Sequence, residues 1–236
     1  MAKIETENTT PALIDVDVVN FYQAGAELGV SKRYPSLDLV RLEHQHFGHV
    51  PGRVLEYACG SGTNALHLLE CGHQVEAIDA APGCVEMLRN RVTEFPDLEA
   101  RLGLTVLDPD ADQIPYEDNS FDYVVCLSLL SLLVTPERIG RLLSEFRRVL
   151  KPGGKAILDI NGPESGFAAH ATLIADYCYE YSRSGGTIRC YCPPTGEAFA
   201  DMVRPHLEVD DIGFSAHKFF SVSEQEFIVC AHKPVS

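Results

Sequence analysis

The sequence predicts an α/β protein with a doubly wound, seven-stranded, mostly parallel sheet whose last strand is antiparallel, with a helical N-terminal segment and a cap. Three observations carry this. From residue 53 onward short apolar runs alternate with stretches of helical period, the pattern of a parallel sheet covered by helices on both faces. The first run, Val54-Leu55-Glu56-Tyr57-Ala58, enters the turn Cys59-Gly60-Ser61-Gly62, and Asp79 closes the second run. The last two runs, 213–220 and 226–232, are joined across Ser221-Val222-Ser223, a link short enough for an antiparallel pair.

After a polar tail, Met1 to Thr10, apolar residues recur at helical intervals over 18–28 and 37–47, and Pro35-Ser36 supplies a break and a cap. Then come a strand over 53–57, a helix over 63–71, a strand over 74–78, a helix over 82–95 and a strand over 102–107. The second half adds a strand over 121–127, a helix over 136–150 and a strand over 155–160, with Lys151-Pro152-Gly153-Gly154 ending the helix and turning the chain. From 162 to 205 the pattern is less regular: a helix over 168–181, a turn at Gly185-Gly186 and a helix over 195–203 are expected, a place where a substrate cap could be built. The reading is one domain, 1–236: an N-terminal helical cap (1–50), a ligand-binding core (51–161), a helical cap insertion (162–205) and a terminal strand pair (206–236).

Composition narrows the partners. The 236 residues are 45% hydrophobic and 22% charged, and no apolar stretch approaches the roughly 20 residues that span a bilayer. The amino terminus lacks the apolar core of a signal peptide, so the cytoplasm is the expected location and no membrane partner is expected. A net charge of −15 opposes a polyanionic partner, whose binding rests on Lys and Arg neutralising phosphates, so no nucleic acid is expected. Lys32-Arg33-Tyr34, with Arg41 nearby, is a local exception that reads as a solvated loop or as a contact for an anionic group on a small substrate. The eight cysteines mostly sit singly in apolar runs and read as buried thiols. Cys190-Tyr191-Cys192 lacks the CxxC spacing and second ligand pair of a zinc site, so no metal is expected.

The glycine turn points to a nucleotide-type ligand. Gly60 and Gly62 let the backbone approach it, and Asp79, about twenty residues on, can accept from two ribose hydroxyls. Gly60-Ser61-Gly62-Thr63-Asn64-Ala65 also satisfies GxGxxA, so the glycines alone leave open a nicotinamide or flavin dinucleotide and with it an NAD(P)-dependent oxidoreductase.

The neighbourhood adds further signatures: Glu56 ahead of the glycines, Asp108-Pro109-Asp110-Ala111-Asp112 after the third strand, Asn119-Ser120-Phe121-Asp122-Tyr123 opening the fourth, and Arg148-Val149-Leu150-Lys151-Pro152-Gly153-Gly154-Lys155. With these the chain resembles the class I S-adenosylmethionine-dependent methyltransferases over about residues 50–160, and the reversed final pair is similar to the end of that family's Rossmann-like sheet. The resemblance implies S-adenosyl-L-methionine as cofactor. It places Glu56 by the methionine end and the Gly60-Ser61-Gly62 turn beneath it. Asp79-Ala80 falls at the ribose, Asp110-Ala111 at the adenine edge, and Cys126 to Ser128 face cofactor or substrate. Ala58 stands where the family often has glycine, near the path of the methionine tail, and Tyr57 is a bulky residue in the motif strand.

The cofactor's chemistry asks for such residues. Glu56, Asp79 and Asp110 supply acceptors for ammonium, ribose and adenine amine, and backbone N–H groups from Gly60 to Thr63 supply donors for a carboxylate. Each acid also reads as an ordinary cap or turn residue. Tyr22 and Tyr34 could present an aromatic face to a sulfonium, or pack against the sheet. The expected activity is methyl transfer to a small-molecule acceptor; a non-catalytic S-adenosylmethionine-binding protein is the further alternative, and a homodimer is compatible with both. Cys126-Leu127-Ser128-Leu129-Leu130-Ser131 is not the Asn/Asp-Pro-Pro-Tyr/Phe motif of nucleobase or glutamine amino methylation. His44, His46, His49 and His170 are candidate bases, each of which also reads as a surface or hydrogen-bonded residue, and no catalytic residue is assigned. Tyr177, Tyr179 and Tyr181, with Phe167, read as a pocket lining on the expected cap helix or as that helix's core face.

Overall fold

The computed structural model describes residues 14–183, 186–220 and 222–235. The polar tail at 1–10, Gly185 of the expected turn and Ser221 of the final link lie outside the described residues.

The chain opens with α1 (Val16–Glu27), capped by Asp15, whose carboxylate accepts from the Asp17 N–H. Next is α2 (Leu37–Leu42), which runs into a π-helical turn, Glu43–Phe47, closed by Gly48 at φ 73. The alternating core follows: β1 (Arg53–Tyr57), α3 (Thr63–Glu70), β2 (Gln74–Asp79), α4 (Pro82–Val92), α5 (Pro96–Glu99), β3 (Leu102–Val106) and β4 (Phe121–Cys126). It continues through α6 (Pro136–Val149) into β5 (Leu150–Asn161). Val54 to Tyr57 are all buried, as expected of a central parallel strand with both faces covered. In α6, Thr135 accepts from the Arg138 N–H at 3.3 Å, Pro136 starts the helix, and Ile139, Leu142, Leu143, Phe146 and Val149 form its buried face. The expected helix over 82–95 ends at Val92, and Pro96 opens a separate short α5.

Between residues 162 and 205 the expected helical cap is corrected. Among the described residues there only α7 (Gly166–Ala169) and α8 (Gly196–Val203) are helical; between them β6 (Thr172–Ala175), β7 (Cys178–Arg183) and β8 (Gly186–Tyr191) form a separate antiparallel sheet. The period explains this. Tyr177, Tyr179 and Tyr181 recur every second residue, and in β8 Ile188 and Cys190 are buried while Thr187 and Arg189 are exposed, an alternation a helix cannot bury on one face. Tyr181 and Phe167 still pack together, edge to face at 5.8 Å.

The chain ends in β9 (Glu208–Phe219) and β10 (Val222–His232). The main sheet has the order β3-β2-β1-β4-β5-β10-β9, with β10 antiparallel to both neighbours. The order reverses between β1 and β4, so a crevice opens at the carboxyl ends of these strands, where ligands bind in such sheets. The parallel register pairs Tyr57 with Ile78 and thereby sets the glycine turn beside Asp79.

The loop between β3 and β4 is held by one side chain. Arg148 donates to the carbonyls of Ile114 (2.9 Å) and Tyr116 (2.7 Å), and to Asp118 and Glu145, while Glu145 accepts from the Ile114 N–H at 2.8 Å. Arg148→Ala should lower stability by about 1–2 kcal/mol through the two abandoned carbonyls. The urea midpoint measures it, and an unchanged midpoint would remove the clamp from this description.

Candidate functional site

The turn after β1 is shaped by backbone conformation. Ala58, Gly60 and Gly62 all have positive φ, at 62, 53 and 79. A Cβ on Gly62 would overlap the Leu88 side chain, whereas one on Gly60 would meet nothing within 4 Å. Gly62 therefore lets α4 pack against the turn, and Gly60 supplies the conformation and an unobstructed surface. Ala58 holds without glycine's freedom a conformation that costs an L-residue about 1–2 kcal/mol.

Asp79 ties this turn to the next one. Its Oδ2 accepts from the Gly60 N–H and its Oδ1 from the Ala81 N–H, both at 2.8 Å. Burial raises its pKa, and these N–H groups oppose the rise. Glu56, 2% exposed, is pushed up to about 8, chiefly by burial and then by the charge on Asp79, against an opposing effect from Lys32. Its Oε2 has no hydrogen-bond partner among the described residues. A buried carboxylate oxygen without a donor, beside a glycine turn, suits a cationic ligand group.

Above the turn lies a cavity of about 370 Å³. Ala58, Gly60, Ser61, Asp79 and Ala80 line it, and so does Tyr22 from α1. Tyr22 is 36% exposed, and its hydroxyl pKa is raised to about 12 by burial first and by Asp79 second. Hydrogen bonds fasten the N-terminal segment over the opening. Gly83 N–H donates to Gln23 Oε1 at 2.8 Å, Arg91 to the Lys32 carbonyl at 2.7 Å, Lys32 N–H to Ser61 Oγ at 3.1 Å and Ser36 N–H to Asn64 Oδ1 at 2.9 Å.

Other expected residues lie elsewhere. Glu56 is buried beside the turn and is not in the lining, and Gly62 caps α3 under the turn. Tyr34 is 75% exposed and Cys126 is fully buried in the core, and neither lines the cavity. Asp110 is exposed, its N–H donating to Asp108 Oδ1 at 3.0 Å, and Ala111 packs against the core; neither is in the lining, where Leu107 stands instead. No histidine lines the cavity among the described residues: His46 lies 3.2 Å from the Ala231 carbonyl, His49 pairs with Glu43, His44 stacks near His49, and His170 caps α7.

Several lining residues escaped the sequence reading. Ile14, Val18 and Phe21 bring an apolar wall, and Leu129 and Leu132 continue it from the far end of β4. Only the amphipathic period of α1 could have signalled Val18 and Phe21, and Ile14 precedes that helix. In the same lining Ser128, at φ 62, donates its N–H to Asp159 Oδ1 at 2.6 Å, and Lys32 Nζ lies 3.4 Å from Ser128 Oγ. Asp159 is 4% exposed, and burial followed by the neighbouring Glu226 raises its pKa well above the carboxylate range.

Residues 54–154 match the family model described as "Methyltransferase domain". They form a class I S-adenosylmethionine-dependent methyltransferase domain. The match begins inside β1 and ends inside β5, so it contains the glycine turn, Asp79 and the Arg148 clamp. The demethylmenaquinone methyltransferase of Renibacterium salmoninarum is 35% identical over 119 residues, 50% of this chain and 45% of that protein. A ubiquinone biosynthesis O-methyltransferase of Xanthomonas oryzae is 31% identical over 153 residues, 63% of this chain and 60% of that one. The chain thus spans less than two thirds of the length of these curated relatives.

Solved structures extend the likeness in fold across the methyltransferase domain and its cap. The [4+2]-cyclase SpnF superposes with a TM-score of 0.71 at 18% identity, covering 97% of this chain and 100% of that one. The 1,6-didemethyltoxoflavin-N1-methyltransferase of Burkholderia thailandensis, solved with 1,6-didemethyltoxoflavin and S-adenosylhomocysteine, gives 0.65 at 17% identity, covering 93% and 86%. Among the described residues of the chain, no helix is long and apolar enough to cross a membrane.

Proposed function

We propose that the chain transfers a methyl group from S-adenosylmethionine to a small, largely apolar acceptor. One observation carries this: a single cavity joins the Asp79–Gly60 cradle to an apolar wall built by α1 and by Leu129 and Leu132. In this reading Asp79 accepts from the ribose hydroxyls, Glu56 faces the ammonium, and N–H groups at the start of α3 meet the carboxylate. When bound, the cofactor supplies a methyl carbon activated by a sulfonium, so the protein's task is to hold an acceptor atom in line with it and keep water out. With no histidine in the described lining, the reading favours an acceptor that ionises readily or attacks without losing a proton first. The named activities of the curated relatives, on quinone precursors, are consistent with an acceptor of this kind. The same proposal places the chain in the cytoplasm with no nucleic-acid or membrane partner, in keeping with a net charge of −15, and admits a homodimer.

Incubating the protein with methyl-labelled S-adenosylmethionine and fractionated cell extract tests it, with mass spectrometry following the label. A methyl-mass increment on a compound of the organic-soluble fraction is expected. Label appearing only in RNA or protein would overturn the small-molecule acceptor, and cofactor binding without transfer to any fraction would favour a non-catalytic role.

A further inference from the structure

We propose that Glu43, His67 and Cys71 bind a divalent cation of the zinc type, at the end of α3 opposite the glycine turn. The inference is independent of the methyl-transfer reading. One ligand atom from each of the three residues lies within 4.8 Å of the other two. His67 and Cys71 are four apart, on the last turn of α3 and at its cap, so they share a face. The Cys71 sulfur is 3.7 Å from His67 Nε2 and 4.0 Å from Nδ1. A tetrahedral zinc with ordinary sulfur and nitrogen bonds sets these atoms about 3.6 Å apart, so closing the set needs only small side-chain movement.

Glu43 is the anchor. It opens the π-helical turn after α2, a distortion frequent at functional sites, and it is 1% exposed. One of its oxygens is positioned from behind. The Gly52 N–H donates to His73 Nδ1 at 3.2 Å, so the His73 proton sits on Nε2, 3.2 Å from Glu43 Oε1. A buried imidazole holding a carboxylate in this way is an outer-shell arrangement typical of metal ligands. The other oxygen, Oε2, lies 2.8 Å from His49 Nδ1 but has no hydrogen-bond partner among the described residues, and the His49 ring is 59% exposed. His49 is therefore placed to supply a fourth ligand or to give way to water.

Cys71 and His67 are both partly exposed, which leaves a route of entry from solvent. A mixed oxygen, nitrogen and sulfur donor set selects against magnesium and calcium and for zinc. The cation would fasten the turn at Glu43–Phe47 to the α3–β2 connection and so steady the segment that carries α1 over the cavity. This departs from the absence of metal expected from cysteine spacing, because the three ligands come from positions 43, 67 and 71 and share no short motif.

The test is titration of the chelator-stripped full chain with Zn²⁺ alone, in competition with a chromophoric chelator, and with Co²⁺ as a spectroscopic probe. One equivalent should bind with a dissociation constant of about 1 μM or tighter, and Co²⁺ should give a near-ultraviolet thiolate band. Cys71→Ser and His67→Gln should each weaken Zn²⁺ at least about tenfold, and Cys71→Ser should lose the cobalt band. Cys178→Ser, at another partly exposed cysteine, should bind like the unaltered chain. Equal metal-free melting temperatures for the variants would show that they fold. No stoichiometric Zn²⁺ binding, or Cys71→Ser binding as tightly and keeping the cobalt band, would overturn the site.

Discussion

Asp79→Ala should weaken S-adenosylmethionine binding by about 1.5–3 kcal/mol, roughly 10- to 150-fold. Two losses combine. The ribose hydroxyls lose a charged acceptor, and the N–H groups of Gly60 and Ala81 lose the oxygens that hold them at 2.8 Å, so the turn is no longer fixed before the ligand arrives. Asp79→Asn separates the two, because the amide keeps one acceptor oxygen for the turn while removing the charge. Isothermal titration should order the affinities as unaltered chain, then Asn, then Ala. Unchanged affinity in the alanine variant would remove Asp79 from the site.

Glu56→Gln should change the pH dependence of both stability and binding. The Glu56 carboxyl, near 4.5 when unperturbed, is pushed up to about 8 by burial. Below pH 4.5 the folded and unfolded chains both hold its proton. Between about 4.5 and 8 the unfolded chain releases the proton while the folded chain keeps it, so stability falls as pH rises and levels off above 8. The full window corresponds to about 2–4 kcal/mol after allowance for water entering the cleft. Glu56→Gln, which cannot ionise, should lose this slope, so its stability relative to the unaltered chain rises from pH 5 to pH 8. Urea midpoints at the two pH values measure it, and parallel slopes would contradict the burial argument. A bound cation favours the ionised carboxylate, so cofactor affinity of the unaltered chain should rise from pH 6 to 8, and the glutamine variant should bind more weakly with a flatter profile.

The order of strands was readable in the sequence because a fully buried parallel strand and an amphipathic helix leave different periods. β1, β2 and β4 begin where the apolar runs begin, and α6 carries its buried face at a regular spacing. The cap misled for a local reason. Tyr177, Tyr179 and Tyr181 sit near Ala and Leu residues that also suit a helix, and the two-residue period wins only through pairing with β8, a contact the sequence does not display.

The site divides in the same way. Gly60 and Asp79 were legible because their conformation and chemistry are tied to the ends of β1 and β2, whereas Glu56, on the same β1, is buried beside the turn and outside the cavity lining. Val18, Phe21 and Leu132 were not, because an apolar side chain lining a cleft looks like one lining a core until α1 is seen over the turn. Cys126 shows the reverse: its position at the end of β4 suggested the cleft, but its side chain points into the packed core.

The central claim is that the cavity over Gly60 and Asp79 is built for S-adenosylmethionine. Calorimetric titration of the protein with S-adenosylmethionine and, separately, with NADH tests it most directly. One equivalent of S-adenosylmethionine should bind and NADH should give no binding heat, while NADH binding without S-adenosylmethionine binding would contradict the account.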